Sequence, residues 1–259
     1  MTDSKSSEPE DYQHVPRDIS GMPRDQPAGS YNAPHQHFRG QLLYAISGLM
    51  RVKTEHGLWL VPPNKALWIP PGIVHDQLMV TSVQMRTLYV SPEKSKEMGS
   101  ACRLLEVSAL LRELIVAFVS EPVEYDTDGK GMHLAALILL QMEGAATVPL
   151  VIPWPSDRRL LVVCSAILAH PESPRTIEYW ADEVGASSRT LIRLFVKETK
   201  LSFRQWVQQV HLAEALHRLE RGEALGSVAH ALGYASSSAF TALFKKIMGE
   251  SPRAYRSRK

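Results

Sequence analysis

His35 and His37 stand one residue apart in the segment PHQHFRGQLLY, residues 34–44. Alternation along a strand points both imidazoles to one side. Imidazole suits zinc, nickel, iron or copper, so the pair can supply two ligands to a divalent ion; it can equally hydrogen-bond an organic molecule or pack as ordinary polar interior. A different chemistry is concentrated at the other end of the chain. Residues 157–259 carry 16 Lys and Arg against 10 Asp and Glu, whereas residues 1–156 carry 13 against 17, so the C-terminal part is the one suited to phosphates. Cys102 and Cys164 lie in apolar surroundings and read as buried reduced thiols rather than a disulfide or a metal pair.

Elements must hold these groups in place. A chain of 259 residues with 44% hydrophobic content is long enough for two domains with cores of their own. No apolar stretch approaches the roughly 20 residues of a membrane span, and the polar, acidic N-terminus lacks the apolar centre of a secretory signal. A cytoplasmic protein is expected, with residues 1–30 as a flexible arm. From Gln41 to Tyr89 short apolar segments alternate with turn signals at Gly48, Gly57, Asn64 and Gly72, which predicts an antiparallel sandwich or barrel within a domain over 31–147. Apolar residues at three- and four-residue steps predict helices over 101–119 and 131–142, whose apolar faces could pair two chains or pack within one. The three prolines of VPLVIPWPSD predict an extended linker over 148–157.

Everything after the linker reads as helix, and it contains a repeat. WADEVGASSRTLIRLF (Trp180 to Phe195) and VAHALGYASSSAFTALF (Val228 to Phe244) share Ala, three residues, Gly, a polar turn and an amphipathic helix ending in Phe. The pattern is that of a helix-turn-helix: Ala181 and Ala229 permit close helix approach, Gly185 and Gly233 tolerate positive φ, and serine caps the second helix. Leu191, Leu194, Phe195, Phe240, Leu243 and Phe244 are predicted core. Between the copies one long helix, capped by Ser202 and stopped at Gly222, spans about 30 Å if it has about 20 residues. That length is close to one turn of DNA, about 34–36 Å, so such a helix could set two reading helices in successive major grooves.

The segment from about Arg158 to Arg256, with GASSRTLIRLF, ALGYASSSAF and SPRAYR, resembles the DNA-binding domain of the AraC/XylS transcription regulators. The resemblance implies an all-α double helix-turn-helix domain over 158–259, with Ser187 to Glu198 and Ser236 to Ile247 as recognition helices. Candidate DNA contacts are then Ser187, Ser188, Arg189 and Arg193 on the first, and Ser236, Ser237, Ser238, Thr241, Lys245 and Lys246 on the second. Arg189 and Arg193 suit bidentate bonds to guanine, and the lysines suit phosphates. Ala242 stands where many members carry Arg, which weakens base readout by the second helix.

HQHFRGQLLYAISG followed by PPGIVH resembles the two motifs of the cupin barrel, except that Gln41 replaces the usual Glu. The resemblance implies an α+β chain with an N-terminal cupin-like β-barrel, in which His35, His37 and His75 converge on one divalent ion (Zn, Ni or Fe), with Gln41 as a weak fourth ligand. Gln41, Tyr44, Trp59 and Trp68 are candidates for contacts to a flat organic effector. The expected function is an effector-responsive transcription regulator, by family habit an activator, acting as a homodimer on double-stranded promoter DNA with RNA polymerase as a further partner. Similarity of QLLYAISGLMRV and ALWIPPGIVH to a subgroup points to a transporter or efflux gene as target. Two alternatives stay open: a metal-dependent dioxygenase or isomerase fused to a DNA-binding unit, and a regulator whose barrel only dimerises.

Overall fold

The computed structural model describes residues 5–55, 57–148, 151–173 and 175–257. The chain divides into two compact units, residues 1–54 with 59–149 and residues 55–58 with 150–259. In chain order the strands are β1 (Ile19–Gln26), β2 (Tyr31–His35), β3 (Gly40–Tyr44), β4 (Met50–Thr54), β5 (Gly57–Val61), β6 (Lys65–Ile69), β7 (His75–Met79) and β8 (Val83–Val90), all within the first unit except the first two residues of β5. Next come α1 (Pro92–Glu97), β9 (Arg103–Glu106), α2 (Ala109–Phe118) and α3 (Lys130–Glu143). One antiparallel sheet runs β1-β8-β3-β6-β9, and β5, β4, β7 and β2 lie side by side in the other.

Strand alternation sorts the first sheet into two layers. Leu42, Tyr44, Ala66, Trp68, Leu88 and Val90 face one way and form a buried cluster with Leu111, Ile115 and Phe118 of α2 and Ile138 and Met142 of α3. Gln41 pairs across the strands with Tyr89, and both face the other way, toward a cavity shared with the second sheet. The opposite faces of the two helices leave Leu110, Leu137 and Leu140 exposed at 56%, 47% and 63%.

Three expectations need correction. Residues 1–30 do not form a flexible arm over their described part: Pro9–Tyr12 is a short 3-10 helix, and Ile19–Gln26 is an edge strand paired along its whole length with β8. The buried Arg39 secures this segment, donating to the carbonyls of Gln13 (2.9 Å), Val15 and Arg17 (2.8 Å), while Tyr12 stacks on Tyr89. Residues 1–4 lie outside the described chain. The helix predicted over 101–119 starts only at Ala109, where Ser108 accepts from the Leu111 N–H; before it, Arg103–Glu106 adds to the sheet beside β6.

The third correction concerns 148–157. Residues 149 and 150 lie outside the described chain, but residues 151–157 are not a free linker. Val151–Ile152 forms β10, Ile152 is buried, Trp206 Nε1 donates to the Pro153 carbonyl (2.8 Å), and Trp154 packs near Trp206. Glu198 accepts from the backbone N–H of Ser156 (2.7 Å) and Asp157 (2.9 Å). The segment belongs to the C-terminal unit because Trp206 holds the Pro153 carbonyl and lies by Trp154, and the Ser156 and Asp157 N–H groups find a carboxylate.

That unit comprises α4 (Arg158–Ala169), α5 (Ile177–Glu183), α6 (Ser188–Thr199), α7 (Phe203–Glu220), α8 (Leu225–Ala231), α9 (Ser237–Met248) and α10 (Pro252–Ser257). The repeat gives two helix-turn-helix motifs, α5–α6 and α8–α9. Ala181 and Ala229 are buried at 2% and 1% exposure, and Gly185 and Gly233 take φ of 62° and 77°, which a side chain would strain. Ser187 and Ser236 cap α6 and α9 by accepting from Thr190 N and Ala239 N. Leu191, Leu194, Phe195, Phe240 and Phe244 are core, whereas Leu243 is half-buried. The long helix α7 opens with a reciprocal cap: Ser202 Oγ accepts from Gln205 N, and Gln205 Oε1 accepts from Ser202 N. Its 18 residues span about 27 Å.

Candidate functional site

The three histidines meet inside the first unit. His35 ends β2, His75 opens β7 directly opposite it, and His37 lies in the turn before β3. Their potential ligand atoms all lie within 4.8 Å of one another. The ring centroids are 4.4 Å apart for His35 and His75, 4.9 Å for His35 and His37, and 5.3 Å for His37 and His75.

Local backbone fixes the ring nitrogens. His35 Nδ1 lies 2.7 Å from the Ala33 carbonyl and His75 Nδ1 lies 3.0 Å from the Ile73 carbonyl, so in each ring Nδ1 is the donor to a backbone carbonyl. His37 and His75 are buried at 8% and 1% exposure, and their Nε2 atoms have no hydrogen-bond partner among the described residues. Burial, reinforced by the neighbouring histidines, lowers His37 to a pKa of about 3; burial also lowers His75 to about 4, opposed by the Ile73 carbonyl. Both are therefore neutral, the form that ligates a metal. Gln41 Oε1 is likewise buried without a hydrogen-bond partner among the described residues, and Gln41 shares one cavity with His35 and His37.

The cavity has a volume of about 400 Å³ and draws its lining from both sheets. Arg24, Met22 and Tyr89 come from one, Tyr31, Asn32 and Gln77 from the other, and Asn32 Nδ2 donates to Gln77 Oε1 at 3.2 Å. Burial pushes the Tyr89 hydroxyl pKa up, against the opposing effect of the Arg24 charge. Of the four expected effector contacts only Gln41 lines this space. Tyr44 and Trp68 lie in the cluster beneath α2 and α3, and Trp59 is buried with its Nε1 donating to Thr54. Position explains the difference for Tyr44, which is three residues from Gln41 on one strand and so points to the other face. Arg24 and Tyr89 are cavity residues that sequence reasoning missed, because their position depends on pairing between distant strands.

The second candidate surface is on the C-terminal unit. Arg189 and Arg193 are exposed on one face of α6, and neither carries a salt bridge among the described residues. Ser188 is half-buried at its first turn. On α9, Ser237, Ser238, Lys245 and Lys246 are exposed, and both lysines are without ion pairs among the described residues. The Ser187 and Ser236 hydroxyls are engaged as caps, and the Thr241 hydroxyl donates to the Ser237 carbonyl at 2.8 Å. Unpaired cations on a helix preceded by a tight turn are suited to a polyanion, with the arginines able to form bidentate bonds to base edges.

Comparison with known proteins agrees with this division. Residues 18–135 match the profile of the AraC-like ligand binding domain, and residues 180–258 match a helix-turn-helix domain profile. The chain is 34% identical to the HTH-type transcriptional regulator NimR of Escherichia coli K12 over 86% of this chain and 82% of that one. It is 25% identical to the HTH-type transcriptional activator RhaR of Pectobacterium atrosepticum, over 70% and 64% of the two chains. Among solved structures, unsaturated fatty acid bound ToxT from Vibrio cholerae aligns with 92% of this chain and 94% of its own, at 11% identity and a TM-score of 0.38. Two domain matches in the order seen in the fold, with one relative similar across both, lead to one conclusion: the chain belongs to the AraC-type family of helix-turn-helix transcriptional regulators.

Proposed function

We propose that this protein is an effector-responsive activator: the paired helix-turn-helix unit binds promoter duplex, and the cavity between the sheets takes up the signal. The observation that carries the DNA-binding half is the exposed Arg189 and Arg193 pair on α6, without ion pairs among the described residues and repeated in simpler form by the lysines of α9. The second helix reads fewer bases, since Ala242 is exposed where a longer donor would reach an edge. Its lysines neutralise phosphates and make binding salt-sensitive.

The signal includes one divalent ion held by His35, His37 and His75, with Gln41 as a neutral fourth donor. The buried, unpartnered Nε2 atoms of His37 and His75 and the unpartnered Gln41 oxygen support this, because buried polar atoms without partners are costly unless something binds them. A bound ion would supply a Lewis-acidic anchor for an effector, held by these residues.

Two copies pair through the exposed apolar positions Leu110, Leu137 and Leu140 of α2 and α3. The dimer works in the cytoplasm, recruits RNA polymerase, and controls a transporter or efflux gene. Elemental analysis of tag-free full-length protein alongside His37→Ala tests the metal, and a shift assay on promoter fragments tests the DNA. About one ion per chain that disappears in the variant, together with sequence-specific, salt-sensitive retention, is expected. Retention that is equal for all fragments rejects the regulatory function, and absence of metal in the wild type rejects the ion.

A further inference from the structure

We propose that the cavity between the two sheets takes a small organic carboxylate, whose charged group is met by Arg24 on β1 and whose remainder reaches the histidine cluster. The inference rests on reading that cavity as the effector site, and it names the chemical class of the effector.

The charge content of the cavity is one-sided. Its described lining contains no Asp or Glu, and apart from the imidazoles its single ionisable cation is Arg24. Arg24 is half-buried on the cavity side of β1, across from Met85 on β8, and no carboxylate pairs with it among the described residues. With its amide oxygen turned inward, Gln26 accepts from Arg24 Nη2 at 3.2 Å and Nε at 3.3 Å, which orients the guanidinium without neutralising it. A guanidinium taken partly out of water with no counter-ion is unfavourable, and an incoming anion removes that cost. The planar fork of arginine matches a carboxylate in two parallel bonds.

Position joins this charge to the histidines. The Arg24 charge acts on the Tyr89 hydroxyl, and the Tyr89 ring meets His37 edge-on with centroids 5.1 Å apart. Met22, Met85 and Tyr31 give the space between an apolar lining, suited to a hydrocarbon or aromatic body. At about 400 Å³ the cavity is near the lower end of the roughly 300–1,000 Å³ typical of small-molecule sites. The occupant is therefore small, anionic at one end and apolar in the middle.

Calorimetry and thermal shift on the full chain test this with matched probes: benzoate, salicylate, 3-phenylpropanoate and octanoate, each beside its primary amide, with phenyl phosphate as the competing anion. At least one acid is expected to bind about tenfold or more tightly than its own amide, with that preference lost in Arg24→Gln and partly kept in Arg24→Lys. Failure of every acid, equal binding of acid and amide, stronger binding of phenyl phosphate, or an Arg24→Gln variant that keeps the preference overturns the proposal. Should Arg24→Gln fail to fold, the acid-to-amide ratio in the wild type decides alone. Two parallel readouts separate this result from the underlying reading. An acid that binds through Arg24 but leaves promoter affinity unchanged removes the effector role and keeps the site; an acid that binds metal-free protein equally well shows that the ion takes no part in holding it and keeps the site.

Discussion

At the scale of single residues, the histidine cluster carries a pH signature. His37 and His75 titrate near about 3 and about 4 in the folded protein, against 6.5 for a free imidazole. As pH falls below about 6.5 the unfolded chain takes up protons on these rings and the folded chain does not. Stability of the metal-free protein is therefore full above about 6.5 and declines as pH falls toward 4, by at most about 1.4 kcal/mol per pH unit for each ring. Urea midpoints at about pH 7.5, 6.5 and 5 are expected to fall in that order, with a shallower decline in His37→Gln; midpoints that do not move would contradict the buried neutral rings. Arg39 is the second residue of consequence, since its guanidinium serves three carbonyls of the N-terminal segment. Arg39→Met should cost about 3 kcal/mol or more, by leaving those acceptors without their charged donor. Protease cleavage first between residues 9 and 18 would report the same loss locally.

At the scale of elements, spacing and turn residues expose some features and conceal others. Both helix-turn-helix motifs are legible in the sequence because their small, glycine and capping residues act within a few positions of one another, as in Ala181, Gly185 and Ser187. β1 is not legible: Gly21 and Pro23 look like breakers, and Pro23 is tolerated because β1 is the edge of its sheet. Arg103–Glu106 has only Leu104 and Leu105 as apolar residues, too few to set a period, and pairing with β6 makes it a strand. The histidine cluster is readable from its motif spacing, whereas the aromatic character of Tyr44, Trp59 and Trp68 says nothing of which face of a strand they occupy. Arg24 needs the register of β1 on β8. Glu198 offers a test at this scale. It sits on α6 and accepts from Ser156 and Asp157 at the entry to α4. Glu198→Ala should lower stability by about 1 kcal/mol, and unfolding at the wild-type denaturant midpoint would argue that those bonds contribute nothing.

At the scale of the whole molecule, the uneven charge, the two units and the two kinds of site reflect one division of labour. The N-terminal part is net acidic and encloses a cavity with polar atoms that lack partners among the described residues; the C-terminal part is net basic and exposes Arg189 and Arg193, which carry no salt bridge among the described residues. The described helices include none long and apolar enough to cross a membrane. Sequence-specific recognition of duplex DNA is the claim on which the rest depends. In vitro selection from random duplexes with the full-length protein, repeated with Arg189→Ala, tests it most directly. The expected result is one enriched motif in wild type, with affinity that falls steeply as salt rises, and relaxed preference at one base position in the variant at a cost of about 1–3 kcal/mol. A selection that enriches no motif, or one that Arg189→Ala leaves unchanged in sequence and affinity, would contradict the account.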